Sequence, residues 1–379
     1  MKVAAVICEF NPFHNGHKYL IDKIKAEHAD CIIAIMSGNF VQRGDIAITD
    51  KFQRAKNALL NGCDLVVELP TIYALSSAEK FAKAGVQIAD ALGADILCFG
   101  AENDDIEKLK SLSDAFENPD FNKKLKELIS NGEYYPKAVS LAIKEIYSAE
   151  YSDLLNGANN TLTIEYIKAL KGTHISPVAI KREGVDHDSN IAIKNIASAT
   201  HIRQLIRDNT AYSDFTDMII ESYTDINKLE TAILYRLRTM SKEEIENLPD
   251  VKEGLHNRIY ECARNSSSLK ELYTNLKTKR YTLARLRRIV MCALLGITKE
   301  MQNANVQYIR VLGISDKGSK LLSKSALPLV CKYPQDYNKL NDNAKACFDI
   351  DIKAGELFPL AITNDDKSYC ELKSQIIKI

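Results

Sequence analysis

The chain lacks a charge imbalance, a paired-cysteine framework and a long apolar run, and each absence narrows what it can be. Its 379 residues carry 50 Lys and Arg against 50 Asp and Glu, a formal net charge of zero. Any nucleic-acid binding must therefore come from a local basic patch rather than from the surface as a whole. The nine cysteines (Cys8, Cys31, Cys63, Cys98, Cys262, Cys292, Cys331, Cys347 and Cys370) are odd in number and scattered, and none forms a C-x-x-C pair. Most lie in apolar runs, which predicts buried free thiols in a reducing compartment. No apolar stretch reaches 18 residues, and the short apolar start at Val3–Cys8 gives way at once to polar and aromatic residues. Neither a signal peptide nor a membrane span is expected, and the expected compartment is the cytoplasm. A separate coenzyme A motif is also missing. What remains is a chain long enough for two or three domains around a substantial core.

The most informative segment that is present is Glu9-Phe10-Asn11-Pro12-Phe13-His14-Asn15-Gly16-His17, directly after the apolar run Val3–Ile7. Two imidazoles flank a glycine where a first strand ends and a helix begins near Lys18. Gly16 lets the backbone approach a ligand closely, and the helix N-terminus adds partial positive charge. His14 and His17 can donate hydrogen bonds to phosphate oxygens. In attack on the α-phosphorus of ATP, negative charge grows on those oxygens and on the departing pyrophosphate, so fixed donors there raise the rate. The plainer reading is a helix-capping histidine or an incidental metal pair. No second ligand pair accompanies Cys8 and Glu9, so no resident metal site is expected.

The first hundred residues alternate short β-rich runs with helical patterns, the sequence form of an α/β fold with a Rossmann-like parallel sheet and helices on both faces. Strands are predicted over Lys2–Cys8, Cys31–Met36, Asp64–Leu69 and Ile96–Gly100, and helices over Lys18–Lys25, Asp50–Leu60 and Ser76–Leu92. Ligands of such sheets sit beyond the carboxyl ends of strands, where H-x-G-H and Gly100 both fall. Residues 104–155 read as charged helices. Asn159-Asn160-Thr161-Leu162 then precedes a predicted helix Ile164–Leu170, and Pro177–Arg182 reads as a strand ending in a cation.

A second chemical stretch, Ile196-Ala197-Ser198-Ala199-Thr200-His201-Ile202-Arg203, is a hydroxyl-rich turn entering a helix. Ser198 or Thr200 can cap the helix and face phosphate, and Arg203 lies one turn inside. Beyond it the chain is predicted mainly helical from Ser213 to Leu295. Within Lys270–Arg288, the cations Lys270, Lys277, Lys279, Arg280, Arg285, Arg287 and Arg288 face a single acid, Glu271, with Tyr273 and Tyr281 interleaved. Cations can neutralise RNA phosphates and a tyrosine can stack an unpaired base. The competing reading is a solvated helix face above a Leu283, Leu286, Val290, Leu294 stripe. The expected division is a catalytic domain over 1–210 and a mainly helical region over 211–379 that carries the RNA-binding candidate.

The two motifs together resemble the nucleotidyltransferase superfamily, which pairs H-x-G-H with I-S-x-T-x-x-R at a later helix start. Here one extra residue separates Ile196 from Ser198, while the Ser-x-Thr-x-x-Arg spacing is kept. The chain more closely resembles the tRNA(Met) cytidine acetate ligase family, over nearly its whole length. The segments that carry this are Glu9–His17, Met36-Ser37-Gly38-Asn39-Phe40-Val41-Gln42-Arg43-Gly44, Asp64–Pro70, Phe99–Glu102, Asn159–Leu162, Lys279–Thr282 and Ile309–Gly313.

The resemblance implies an enzyme that activates acetate with ATP, releasing pyrophosphate, and then acetylates N4 of the wobble cytidine of elongator tRNA(Met). It places the ATP site at Ile7, Cys8, Glu9, Phe10, Asn11, Pro12, Phe13, His14, Asn15, Gly16, His17, Lys18, Tyr19 and Leu20, with Gly100, Asn159 or Asn160, and Arg182. His14, His17, Ser198, Thr200 and Arg203 are the implied catalytic set, with Mg²⁺ on the triphosphate. Lys277, Lys279, Arg280, Tyr281, Arg285, Arg287 and Arg288 are the implied tRNA contacts. Where the family commonly has proline before the asparagine pair, this chain has Ala158, and Glu183–Asp188 resembles the family's acidic loop with His187 inside it. The alternatives are a small-molecule adenylyl- or cytidylyltransferase on the same core, and a non-catalytic RNA-binding factor. The long C-terminal half opposes the first, and the intact motif residues oppose the second.

Overall fold

A computed structural model describes residues 1–155, 158–182, 195–252, 254–363 and 371–379, with the side chains of residues 135, 136, 158 and 159 excepted. The segment Glu183–Asp188 with His187, and Cys370, lie outside the described residues. The described residues form ten strands: β1 Val3–Cys8, β2 Cys31–Ser37, β3 Phe40–Val41, β4 Asp45–Ile46, β5 Leu65–Leu69, β6 Ile96–Ala101, β7 Ser176–Lys181, β8 Ile309–Ile314, β9 Leu329–Val330 and β10 Ile377–Lys378. The main sheet runs β10-β8-β5-β2-β1-β6-β7, with β9 also paired to β8, while β3 and β4 form a separate hairpin. The β5–β8 pairing is antiparallel and the other pairings of the main sheet are parallel.

The strands are nearly continuous apolar runs because both faces are covered. Val3, Ala5 and Ile7 face one core with Ile33, Ile35, Leu65 and Val67. Ala4 and Val6 face the other with Ile32, Ala34 and Val66. Helices Ala78–Ala91 and Ala158–Leu170 pack with the first core, and Asn15–Glu27 and Lys51–Leu60 with the second. A third, smaller core around Leu112, Phe121, Ala142 and Ile143 belongs to the helices spanning 106–153.

From β1 the chain moves outward through β2 to β5, then returns to place β6 on the opposite side of β1. The carboxyl ends of β1 and β6 therefore flank the point where strand order reverses, the usual ligand crevice of a wound sheet.

Three boundaries differ from the sequence reading. The first helix begins at Asn15 rather than Lys18, because His14 caps it. The asparagine pair lies inside the first turn of Ala158–Leu170 instead of ahead of a helix at Ile164. Residues 213–224 are not helical: regular helix resumes with a 3-10 turn at Ile226. That stretch is a strap whose Met218 and Ile220 are buried in the second core, and burial of a loop on the sheet replaces helical periodicity. All described cysteines are free thiols, as expected. No helix among the described residues is long and apolar enough to cross a membrane.

Candidate active site

A cavity of about 780 Å³ opens at the carboxyl ends of β1 and β6, and both motifs line it. The H-x-G-H segment makes an unusual cap. Gly16 N–H donates to His14 Nδ1 (3.1 Å) and His14 N–H donates to His17 Nδ1 (3.2 Å). The two rings stack with centroids 3.7 Å apart and planes at 26°. A nitrogen that accepts carries no proton, so this network assigns both imidazoles the neutral tautomer with the proton on Nε2. Each ring is then an Nε2–H donor held by backbone. The glycine leaves room for this cap: a Cβ on Gly16 would meet His14 Cε1 at 3.0 Å and Nδ1 at 3.1 Å, a tight contact that would displace the ring by a few tenths of an ångström.

The second motif meets the first across the crevice. Ser198 Oγ accepts from His201 N–H (3.0 Å) and caps Ala199–Arg207. Arg203 donates to Asn11 O (2.7 Å) and Thr200 Oγ1 (3.1 Å), which locks the strand-end turn to the helix start. Burial lowers the pKa of Arg203 from its ordinary value, while Glu9 opposes the shift. Asn15 adds a further stitch by donating from Nδ2 to Asn195 O (2.8 Å) and Asp214 O (3.0 Å). Thus Asn15 holds the two motifs and the strap together.

Gly100 and Arg182 also line the cavity, and Arg182 covers Gly100, with its Cγ 3.3 Å from where a Cβ would sit. Ile7, Cys8, Glu9, Phe10, Asn11, Tyr19 and Leu20 are in the wall as well. Pro12, Phe13, Asn15 and Lys18 are not. Pro12 follows a cis peptide bond, Phe13 is buried in the second core, and Lys18 pairs with Asp217 at 3.5 Å. Asn160 is buried and donates to Glu102 Oε2 at 3.4 Å, while its neighbours Thr161–Thr163 line the cavity. The side chain of Asn159 lies outside the described residues.

The basic segment divides in two. Arg287 and Arg288 line the large cavity, whereas Lys279, Arg280 and Tyr281 line a separate recess of about 410 Å³ with Arg258. Arg285 donates to Asp250 O (2.6 Å) and lies 5.0 Å over the Tyr281 ring. Lys277 donates to Tyr281 O (2.6 Å). Tyr281 is buried with Arg285 over its ring, and it still lines the recess beside Lys279 and Arg280. Gly44 of the 38–44 loop sits against the backbone of Arg287 and Arg288, so close that a Cβ would be 2.4 Å from Arg288 N. The helical region thereby closes one wall of the cavity.

Several site residues were not assigned from the sequence. Arg54 is wholly buried and donates to Thr49 O (3.1 Å), Glu9 O (2.6 Å), Ser37 O (3.0 Å) and Gly38 O. It pins the ends of β1 and β2 beneath the cavity. Arg43, Asp45, Tyr166 and Arg207 line the cavity too. Arg43 sits in the glycine-flanked run Gly38–Gly44, a signal that could have marked it. The others sit in ordinary-looking elements.

The model of the HIGH Nucleotidyl Transferase family matches residues 1–373. Over the full length of both chains, the sequence is 39% identical to the tRNA(Met) cytidine acetate ligase of Caldanaerobacter subterraneus subsp. tengcongensis. It is 37% identical to that of Clostridium novyi, over 97% of each chain. This chain belongs to the tRNA(Met) cytidine acetate ligase family. Its structure superposes on Thermotoga maritima TmcAL, apo form, with a TM-score of 0.91 at 29% identity, covering all of both chains. The same protein bound with alpha-thio ATP gives a TM-score of 0.89. The family's α/β nucleotidyltransferase fold is the fold described above, and its curated members are named as ligases.

Proposed function

We propose that this protein activates acetate with ATP to acetyl-adenylate and pyrophosphate, and transfers the acetyl group to N4 of the wobble cytidine of elongator tRNA(Met). The observation that carries the reading is the meeting of both motifs at the β1/β6 crevice, with two backbone-held Nε2–H donors beside a capped helix start. An ATP analogue bound to the Thermotoga maritima relative supports a nucleotide here. In the first step acetate attacks the α-phosphorus in line. His14 and His17 donate to the oxygens where charge grows, and Ser198, Thr200 and Arg203 hold the departing β- and γ-phosphates. The donors are fixed before reaction, so little reorganisation accompanies the charge shift.

Among the described residues no group of three or more His, Cys, Asp or Glu side chains could hold a metal. Mg²⁺ would therefore enter with the triphosphate as part of the substrate, held mainly by phosphate oxygens and water. Arg182 over Gly100 is the proposed nucleoside contact. Lys279 and Arg280 are the proposed outer contacts to tRNA phosphates, and Arg287 and Arg288 lie where the RNA would reach the cavity.

The test is acetate-dependent exchange of pyrophosphate into ATP. His17→Ala should lower exchange by about 10²-fold or more, the scale of one lost transition-state donor. Full activity in that variant would remove the histidines from the chemistry.

A further inference from the structure

Two carboxylates, Glu9 and Asp45, line a cavity whose first-step substrates are both anions. ATP and acetate are repelled by Glu9, yet Glu9 lines the same space as His14, Arg203 and Arg287. Its position is built rather than incidental. Glu9 O accepts from the buried Arg54 (2.6 Å) and Glu9 Oε1 accepts from Gln42 N–H (2.8 Å). The next residue, Phe10, is forced into the left-handed region at φ 45°, a conformation that a non-glycine residue keeps only when its surroundings impose it. A strained turn and two hydrogen bonds thus aim a carboxylate into a site for anions. Such a group belongs to a partner that donates hydrogen.

Tyr166, a buried residue, is part of the same cavity wall. Burial first, and the nearby Cys8 and Glu9 after it, push its phenol above the ordinary value, so it stays protonated and can donate. The Phe99 ring lies 5.7 Å from the Tyr166 ring, and Phe81 joins them in the wall, so the walls beside these polar atoms are flat and apolar. Cytosine presents an N4 amino donor beside the N3 acceptor, and a carboxylate accepting from N4 is the ordinary way to read it. Uracil would place O4, an acceptor, against the same carboxylate.

We propose that Glu9 is the cytidine-reading group and the general base of acetyl transfer, with Tyr166 positioned to donate to the base; this rests on the function proposed above. The N4 lone pair is delocalised into the ring, so the amine attacks only as its proton departs. In the step, the N4–C bond forms at the acetyl carbonyl and the bond from that carbon to the adenylate oxygen breaks. AMP leaves with that electron pair. The N4 proton passes to the Glu9 carboxylate and then to water, leaving the enzyme unchanged. The first half-reaction has no proton to remove from acetate, so Glu9 has no base role in it.

The experiment measures two rates on full-length protein: acetate-dependent pyrophosphate exchange without tRNA, and single-turnover acetylation of tRNA(Met) transcript with labelled acetate. Glu9→Gln retains an Oε1 that can accept from Gln42, and a melting temperature close to that of the wild type reports that the variant has folded. The expected result is a transfer rate reduced by about 10²-fold or more relative to exchange, the lower end of general-base contributions. Glu9→Asp should recover part of the rate. Equal losses in exchange and transfer would overturn the proposal and make Glu9 a nucleotide or Mg²⁺ contact. Wild-type transfer by Glu9→Gln would overturn it as well. If the wild-type protein itself shows no acetate-dependent exchange, the functional reading fails first and the assignment of Glu9 falls with it.

Discussion

Arg54 offers the sharpest structural test, because one buried guanidinium supports the whole floor of the cavity. Its guanidinium makes four hydrogen bonds, to the carbonyls of Thr49, Glu9, Ser37 and Gly38, drawn from two strand ends and the loop that leads to its own helix. Truncation to Met leaves these carbonyls without that donor. Each lost partner costs about 1–3 kcal/mol if water cannot replace it, and the relief of an expensively desolvated charge offsets part of the sum. A net loss of about 3–5 kcal/mol is expected, the scale found when one member of a buried charged network is removed. For 379 residues, unfolding entropy of about 2 cal/mol/K per residue converts that into a Tm lowered by about 4–6 °C. The informative comparison is Arg54→Lys, read by thermal melts beside pyrophosphate exchange. Lysine keeps the charge but offers its three donors from one point, so it cannot bridge carbonyls on separate segments. Both variants should lose most of the stabilisation. A lysine variant melting with the wild type would show that charge alone, not the planar fork, holds the floor, and would refute the reasoning.

Other expectations follow from the same geometry. Gly16→Ala brings a Cβ to 3.0 Å from the His14 ring, which must shift by a few tenths of an ångström, and pyrophosphate exchange should fall by up to about tenfold, less than the about 10²-fold that a displacement of about 1 Å brings; melting within about 2 °C of wild type would confirm a local cause. Arg280→Glu should weaken tRNA binding about tenfold and flatten its salt dependence by about one charge, whereas Arg287→Glu should also impair exchange because Arg287 lines the cavity. Glu68 is buried against Lys51 (2.8 Å), Glu371 and Arg310, and burial pushes its carboxyl from 4.5 up to about 7. An acid with a raised folded pKa binds its proton more tightly when folded, so its contribution is complete below about pH 4.5 and is lost as pH rises through about 7. Tm should therefore fall between pH 5 and 8 more steeply in the wild type than in Glu68→Gln, and equal slopes would argue against it.

The strands around β1 were readable because a parallel strand buried on both faces needs an unbroken apolar run, and Val3–Ile7, Cys31–Met36 and Asp64–Leu69 supply one each. The two motifs were readable because their chemistry is local: a glycine between two histidines, and a hydroxyl at a helix start. β8 was less legible as part of the same sheet. It lies more than 240 residues after β5 and pairs with it antiparallel, and no local pattern announces so distant a partner. Arg54 was hidden for a related reason. Lys51–Leu60 reads as an ordinary surface helix, and only the convergence of carbonyls from Glu9, Ser37 and Gly38 shows why an arginine is inside. Tyr281 shows the opposite limit: its place among cations was legible, but not that its ring would pack beneath Arg285. Composition within one segment does not distinguish a cation that faces solvent from one that seals a core.

The most direct measurement is incubation of the purified protein with ATP, Mg²⁺, radiolabelled acetate and bacterial tRNA, with nucleoside analysis of the RNA and a parallel reaction without tRNA. Labelled N4-acetylcytidine in tRNA(Met), together with acetate-dependent AMP and pyrophosphate, is the expected result. Absence of acetate-dependent AMP and pyrophosphate in both reactions would contradict the account.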